Sequence, residues 1–490
     1  MTSTPSVAVI GAGLGGLAMA IKAKEAGVTD LTVFEKADRV GGTWRENTYP
    51  GCACDVPVAL YQFSFAPNPG WSHLFPRAAE IQAYSESLAD MFQLRPHLRL
   101  KSEITKAVWD EAGQVWRIRT ADGMETSAQV LVAALGQLSR PQLPAIDGRE
   151  TFAGVSFHSA QWRHDVDLTG KRVGVIGSAA SAVQFIPEIA KVAGHLTVFQ
   201  RTPNWLVPRM DRAITNEEKA LMMTQPETAL QMLQANRDLI YTNADVFFWQ
   251  AFQSTPEGRT AYTKQALTHL ETQVADPDLR KKLTPDYPIG CKRILICDDF
   301  YPALQRPNVE LVTERISHIK PEGVVTKDGQ THAFDVLIYA TGFETTGWRW
   351  SADIVGRGGV SLHEAWKDGP EAYLGLTAKG FPNMFMLYGP NTNLGHNSIT
   401  FMHECQIGYI VQALAAMRDR GVGAMDVTDA AQTRFNRELQ AALATTVWAD
   451  PHCASWYKTA DGRITQNWSS HTRAYAKATA AIAWDDYAVT

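Results

Sequence analysis

The sequence predicts an α/β fold made of two Rossmann-like dinucleotide-binding domains, with a helical insertion in the second. Three observations carry this expectation. A short β-branched run, Val7–Ile10, leads into the glycine-rich turn Gly11-Ala12-Gly13-Leu14-Gly15-Gly16 and an apolar helix. The same strand, small-residue turn and helix start return in mid-chain, at Arg172–Gln184. Between Pro208 and Lys282 strand signals are missing and helical periodicity replaces them.

A chain of 490 residues has room for about three domains. With 45% apolar and 20% charged residues it reads as an ordinary globular protein. A net charge of −5 and the lack of a basic run argue against a nucleic-acid partner. The chain enters a strand at Val7, and no apolar run is long enough to span a bilayer, so a soluble cytoplasmic protein is expected. The six cysteines (Cys52, Cys54, Cys291, Cys297, Cys405 and Cys453) show neither CxxC nor zinc-ligand spacing. Cys52 and Cys54 are too close in sequence for ordinary disulfide geometry. Reduced structural thiols are the expectation for all six.

In the first unit, Gly11, Gly13 and Gly16 permit a tight turn and close approach of backbone to a pyrophosphate. The following helix, expected over Leu17–Ala26, offers N–H donors and a partial positive charge. The next strand, Leu31–Phe34, ends in Glu35, an acceptor for ribose hydroxyls, with Lys36 beside it among the expected cofactor contacts. Trp109–Thr120 and Gln129–Ala134 read as further strands of this domain, and Leu135–Pro141 as the exit to the next.

In the second unit, Gly177-Ser178-Ala179-Ala180-Ser181-Ala182 replaces two of the glycines by alanine. Ser178 and Ser181 can compensate by donating hydroxyls to phosphate, and Gln184 and Thr202 complete the expected contacts. The strand Leu196–Gln200 ends in Arg201, which stands as far beyond Gly177 as Glu35 does beyond Gly11. An acid there accepts a 2′-hydroxyl and repels a phosphate, whereas Arg offers the 2′-phosphate a planar fork of donors. The contrast assigns FAD to the first unit and NADP(H) to the second; the competing reading of Arg201 is a surface cation at a strand end. The insertion carries helical stretches at Glu217–Met223, Thr228–Leu239 and Arg259–Val274, and an aromatic run at Val246–Phe252. It reads either as a substrate entrance or lipid-docking surface, or as a subdomain packing its own apolar stripe.

Phe152-x-Gly154-x-x-x-His158-x-x-x-Trp162 resembles the fingerprint of type I Baeyer–Villiger monooxygenases, with Arg163 where the family has Pro or Asp. Arg39-Val40-Gly41-Gly42-Thr43-Trp44 resembles the flavin-approach loop of flavoprotein monooxygenases, and Tyr49–Pro57 the segment that reaches the isoalloxazine. The resemblance covers nearly the whole chain. It implies an FAD- and NADPH-dependent enzyme that inserts one oxygen of O2 next to a ketone carbonyl, through a C4a-peroxyflavin, to give an ester or lactone. Gly42, Thr43, Trp44, Asp55, Val56, Tyr61 and Ile104 fall at its FAD contacts. Lys292 becomes a second contact to the 2′-phosphate, Arg293 the active-site arginine and Asp55 its counter-ion. A guanidinium keeps its proton throughout the working range, so it stabilises a peroxide anion without quenching it. His158 is implied to act on domain motion and NADP binding rather than as an acid or base.

The resemblance further implies that Ala340–Phe343 links back to the flavin domain, that Gly389–Ser398 lies along the ring, and that Trp456 approaches the nicotinamide. His403 and Glu404, at the head of the helix expected over Phe401–Arg418, read as cap and surface residues. The expected division is 1–140 and 337–490 for FAD, 141–207 and 285–336 for NADPH, and 208–284 for the insertion. The rivals are an N- or S-oxygenating flavin monooxygenase, a disulfide reductase, and a flavoprotein that only senses redox state.

Overall fold

The computed structural model describes residues 4–345 and 351–490. Two five-stranded, all-parallel sheets organise it. The first runs in the order Met384–Met386, Val130–Ala133, Val7–Ile10, Leu31–Phe34, Leu98–Arg99. The second runs Val309–Val312, His195–Phe199, Arg172–Ile176, Val336–Tyr339, Val155–His158. In both, the strand before the small-residue turn lies at the centre and its successor beside it, so each turn sits at the carboxyl edge where open α/β sheets bind ligands. Val7–Ile10, Val130–Ala133 and Val336–Tyr339 are buried along their whole length. Covered on both faces, they read as continuous apolar runs rather than alternating ones.

Each sheet also carries an antiparallel meander just before the strand that flanks the turn strand on its other side, Val130–Ala133 in the first and Val336–Tyr339 in the second. In the first half this is Ile104–Asp110, Val115–Thr120 and Glu125–Ala128. In the second it is Ile316–Lys320, Gly323–Thr326 and Thr331–Ala333. One strand expected as a single run, Trp109–Thr120, and the apolar stretch Ala333–Tyr339 are therefore divided. Trp109–Thr120 folds back at 111–114, where the Asp110 carboxylate accepts the Ala112 and Gly113 N–H groups. The run Ala333–Tyr339 breaks at Asp335, whose carboxylate accepts the Arg172 N–H at 2.9 Å and binds the Arg172 guanidinium. The first helix starts at Leu14 rather than Leu17, because Gly15 and Gly16 belong to its first turn.

The stretch 208–284 is helical: Asn216–Thr224, Pro226–Val246, Pro256–Gln273 and Pro277–Leu283. Proline opens three of these helices, at the position where its missing N–H costs nothing. The aromatic run divides between two environments. Val246, Phe247 and Phe248 are exposed, whereas Ala251 and Phe252 are buried with Trp205, Trp448 and Tyr457, joining the insertion to the C-terminal segment. Among the described residues, no helix is long and apolar enough to cross a membrane.

The thiol expectation needs correction. Cys291 and Cys453 form a disulfide, while Cys52, Cys54, Cys297 and Cys405 are free. The bonded residues are 162 positions apart, and the fold brings their Cα atoms to 5.3 Å. Local spacing carries no trace of such a pairing.

Candidate active site between the two nucleotide cradles

Gly11 and Gly177 occupy corresponding places. Each has positive φ, +101° and +109°. Each donates its N–H to the end of the neighbouring strand, Phe34 O at 2.7 Å and Phe199 O at 3.0 Å. A Cβ on Gly11 would overlap the carbonyl oxygen of Ala134, and one on Gly177 that of Ala340. Both turns therefore require glycine for sterics as well as φ. The third small position differs. A Cβ at Gly16 would run into Gly11 O, while Ala182 carries its methyl in full burial. Gly13 faces the flavin-approach loop, and a Cβ on Gly42 would meet Gly13 Cα at 3.0 Å.

Glu35 is buried. Its carboxylate accepts the Ala12 N–H at 2.9 Å and the Ala37 N–H at 3.0 Å, and lies 3.1 Å from Arg45. A carboxylate has about four lone-pair sites, so acceptor capacity remains for ribose hydroxyls. Lys36, next to it, is exposed. This donor set fits a dinucleotide with a free 2′-hydroxyl. Arg201 is exposed, and neither it nor Lys292 makes an ion pair among the described residues. Burial, then the nearby Arg201 charge, lowers the Lys292 pKa from its ordinary value, and the Lys292 ammonium sits 4.4 Å over the Tyr287 ring. The Asp286 carboxylate partly offsets these effects on Lys292, and the two converging cations fit a dianionic 2′-phosphate. Ser178 is buried, and its carbonyl accepts from Asn204 Nδ2 at 2.9 Å; Ser181 and Thr202 are partly exposed at the same turn.

Gln184 is engaged elsewhere than expected. Its amide oxygen accepts from Tyr49 Oη at 3.1 Å and from the Ala53 N–H, while its Nε2 donates to Ala53 O at 3.0 Å. A Cβ on Gly51 would overlap Gln184 O. The Tyr49–Pro57 segment thus leaves the first half and packs onto the helix start of the second, carrying Asp55 to the seam. There Arg293 Nε donates to Asp55 Oδ2 at 2.5 Å, across 238 residues of sequence. The two side chains are 31% and 30% exposed, open on one side. Burial works against the Asp55 charge, but Arg293 outweighs it and holds the carboxyl below its ordinary range. Burial likewise opposes the Arg293 charge, and Asp55 more than restores it.

The remaining FAD-side residues gather nearby. Trp44 Nε1 donates to Tyr61 Oη at 2.9 Å, Val56 is buried beside Cys54, and Ile104 starts the meander of the first half. Trp456 is 39% exposed, its ring tilted by 52° against that of buried Tyr457 at 4.5 Å between centroids. His158 closes the edge strand of the second sheet, paired with Tyr339 just before the Ala340–Phe343 linker. It is buried, its Nδ1 accepts the Ala160 N–H, and the Gly342 backbone lies close enough to act on its charge. Trp162 packs edge-on against Phe157, and a Cβ on Gly154 would meet the Phe152 ring and Asp335 O.

Three further groups meet at the seam: Tyr388 and Tyr457, which lie in segments that resemble the family without being singled out there, and Arg209, which has no mark in the sequence. Tyr388 holds a positive φ of 61°, and its hydroxyl donates to Asn393 Oδ1 at 2.6 Å. Buried Tyr457 is pushed up to about 12 by desolvation, which the Arg293 charge opposes. Arg209 Nη2 donates to Cys54 O at 3.3 Å, and its charge also favours ionised Asp55. A strained non-glycine residue such as Tyr388 is the kind of outlier that gathers at functional sites, but φ is not written in sequence. The expectation of a cap or surface residue is overturned for His403, while Glu404 stays partly exposed. His403 is buried with its imidazole against Gly15, and Glu404 pairs with buried Arg237 at 3.0 Å and with Ser64. The helix that carries them, Ile399–Arg420, lies against the first nucleotide helix instead of facing solvent.

Comparison with known proteins adds names to this geometry. Residues 8–232 match the family described as pyridine nucleotide-disulphide oxidoreductase. A Baeyer–Villiger monooxygenase of Streptomyces coelicolor is 44% identical over 484 residues, covering 99% of this chain and 92% of its own. Among solved structures, an oxidized steroid monooxygenase bound to NADP superposes with a TM-score of 0.86 at 33% identity, covering 99% of both chains. The complex of OTEMO with FAD and NADP gives 0.88 at 29% identity over 100% of both.

Proposed function

The chain belongs to the Baeyer–Villiger monooxygenases, and from that premise we propose that Arg293 and Asp55 are its catalytic pair and that the substrate is a small-molecule ketone. It is an FAD- and NADPH-dependent monooxygenase. When bound, FAD takes a hydride from NADPH and activates O2 for insertion beside a carbonyl, giving an ester or lactone. The N- or S-oxygenating rival is not favoured, and Cys52 and Cys54, both free, give no support to disulfide reduction.

The observation that carries the residue assignment is the Arg293–Asp55 bond at the seam between the two cradles. Asp55 fixes the guanidinium through Nε and the Leu394 carbonyl takes a long bond of 3.4 Å from Nη1, which leaves Nη2 to meet negative charge on the reacting oxygens. Because the guanidinium does not release a proton at working pH, it stabilises that charge without protonating it. Arg201 and Lys292 hold the 2′-phosphate. Glu35 holds the ribose of FAD, and the turns at Gly11 and Gly177 admit the two pyrophosphates. The domain division 1–140 with 337–490, and 141–207 with 285–336 around the insertion 208–284, is supported by the sheet orders. Segment 373–391 supplies the last strand of the first sheet.

The test is NADPH consumption and product analysis with linear, cyclic, aryl and steroid ketones. Ester or lactone formed in step with NADPH loss is expected. Purified protein that stays colourless and takes up no flavin would overturn the reading.

A further inference from the structure

The insertion reaches the seam through one buried carboxylate. Asp245, in the last turn of Pro226–Val246, is almost wholly enclosed. It accepts from Asn397 Nδ2 at 3.0 Å, from the Thr472 N–H at 3.0 Å and hydroxyl at 2.8 Å, and from the Arg473 N–H at 3.2 Å. It therefore ties the insertion to the 394–398 loop and to the C-terminal helix Thr472–Ala478. His396, in that loop, places Nε2 3.4 Å from Asp245 Oδ1. Its side chain is 1% exposed, and among the described residues neither ring nitrogen completes a hydrogen bond.

The ring is flanked by two insertion aromatics, Trp249 at 5.1 Å and Phe252 at 6.1 Å. Packing is tight enough that a Cβ on Gly395 would overlap the Phe252 ring at 2.5 Å. Two residues before His396, the Leu394 carbonyl accepts from Arg293 Nη1 at 3.4 Å. A continuous line runs from Asp245 through His396 and the loop backbone to Arg293 and Asp55.

We propose that Asp245 and His396 are positioning residues, through which the insertion sets the 394–398 loop and, by the Leu394 carbonyl, the orientation of Arg293 toward the reacting atoms. A buried carboxylate that accepts from four donor groups is expensive to assemble unless it fixes something, and what it fixes is the loop that touches the arginine. The charged and titratable groups facing His396 are Asp245, His471 and Arg293. Burial and the latter two disfavour its protonation, and Asp245 favours it. This inference rests on Arg293 being the catalytic arginine.

The test compares Asp245→Asn, His396→Gln and the double variant in the full-length holoenzyme. Flavin content and anaerobic reduction by NADPH should stay within about twofold of the parent. Ester formed per NADPH consumed should fall at least about tenfold, as expected when a reacting group is misplaced by a fraction of an ångström. The double variant should be no worse than the worse single one, because both act through one loop. Losses that multiply, a parallel fall in flavin reduction, or an unchanged ester yield would overturn the proposal.

A readout independent of turnover is the imidazole titration of His396, followed by 15N-histidine NMR on flavin-free protein. Asp245→Asn should lower its midpoint and Arg293→Gln should raise it; a midpoint that neither change moves would overturn the proposal. If Asp245→Asn does not fold, His396→Gln and the Arg293→Gln titration carry the test. Should Arg293→Ala retain ester formation, the catalytic assignment itself falls. Should Arg293→Ala lose it while Asp245→Asn and His396→Gln keep it, only the positioning proposal does.

Discussion

The two nucleotide cradles share a skeleton. Each has five parallel strands with the turn strand at the centre, a meander before the strand that flanks it on the other side, and a positive-φ glycine whose absent Cβ leaves room for the carbonyl oxygen of Ala134 or Ala340. They differ at two places. The first helix rests directly on its turn at Gly16, while the second tolerates the methyl of Ala182. The first ends its second strand in a buried acid held by two N–H groups and Arg45; the second ends it in an exposed, unpaired cation. A common backbone thus sets where a dinucleotide lies, and a few side chains at equivalent positions decide which one. The fifth strand differs as well. In the first sheet it comes from the late segment Met384–Met386, and in the second from the fingerprint strand Val155–His158. The seam takes Asp55 from the Tyr49–Pro57 segment that reaches out of the first half and Arg293 from the second half.

The largest effect should come from damaging the seam while leaving both cradles whole. Arg293→Ala is expected to cut ester formation by about 10²–10³-fold, or about 3–4 kcal/mol of transition-state stabilisation. Flavin content and NADPH binding should be unchanged. Product analysis by gas chromatography beside the flavin absorbance checks it; full turnover would show that the cradles alone suffice.

The equivalence itself can be broken at the third small position. Gly16→Ala should abolish flavin retention, because the new methyl has only Gly11 O to occupy. Ala182→Gly should leave the KM for NADPH within about twofold and cost about 1 kcal/mol in stability from helix propensity. Similar behaviour of the two variants, read by flavin content and KM, would erase the asymmetry.

The charge contrast is sharpened by Arg201→Ala. Removing one charge-assisted contact to the 2′-phosphate should raise the KM for NADPH by about ten- to a hundredfold and leave that for NADH nearly constant. An unchanged KM for NADPH would dissolve the contrast with Glu35.

What could be read in the sequence divides along the same lines. The cradles were legible because strand, turn, helix and terminal charge lie within a few dozen residues, and each is imposed by local sterics or electrostatics. The seam was not: Asp55 and Arg293 are 238 residues apart, and only resemblance to a family joined them. The Cys291–Cys453 bond and the Asp245–His396 contact were invisible for the same reason. His403 was misread because a histidine at a helix start has no sequence mark separating a solvent-facing cap from a side chain pressed against Gly15. Gln184 sits in a nucleotide-binding turn by sequence, yet spends its amide on Ala53 of the other half. Local pattern specifies what a residue can do, and packing chooses among those options.

The smallest effect compares two buried histidines, one beside each cradle. Burial pushes His403 down to about 4, with no partner on Nδ1. Burial also lowers His158, but a backbone contact at Gly342 opposes the shift. For a base whose folded pKa is depressed, the unfolded chain takes up its proton first. Stability contributed by the neutral ring is complete above about pH 6.5 and is lost as pH falls from there toward the folded value, by at most about 1.4 kcal/mol per pH unit for each ring. His403→Gln should therefore flatten the fall in Tm between about pH 6.5 and 4 more than His158→Gln does. Equal slopes in the two variants would mean that the two sites bury their imidazoles to the same effect, and that the tighter packing around Gly15 and Gly16 has no counterpart in the energetics.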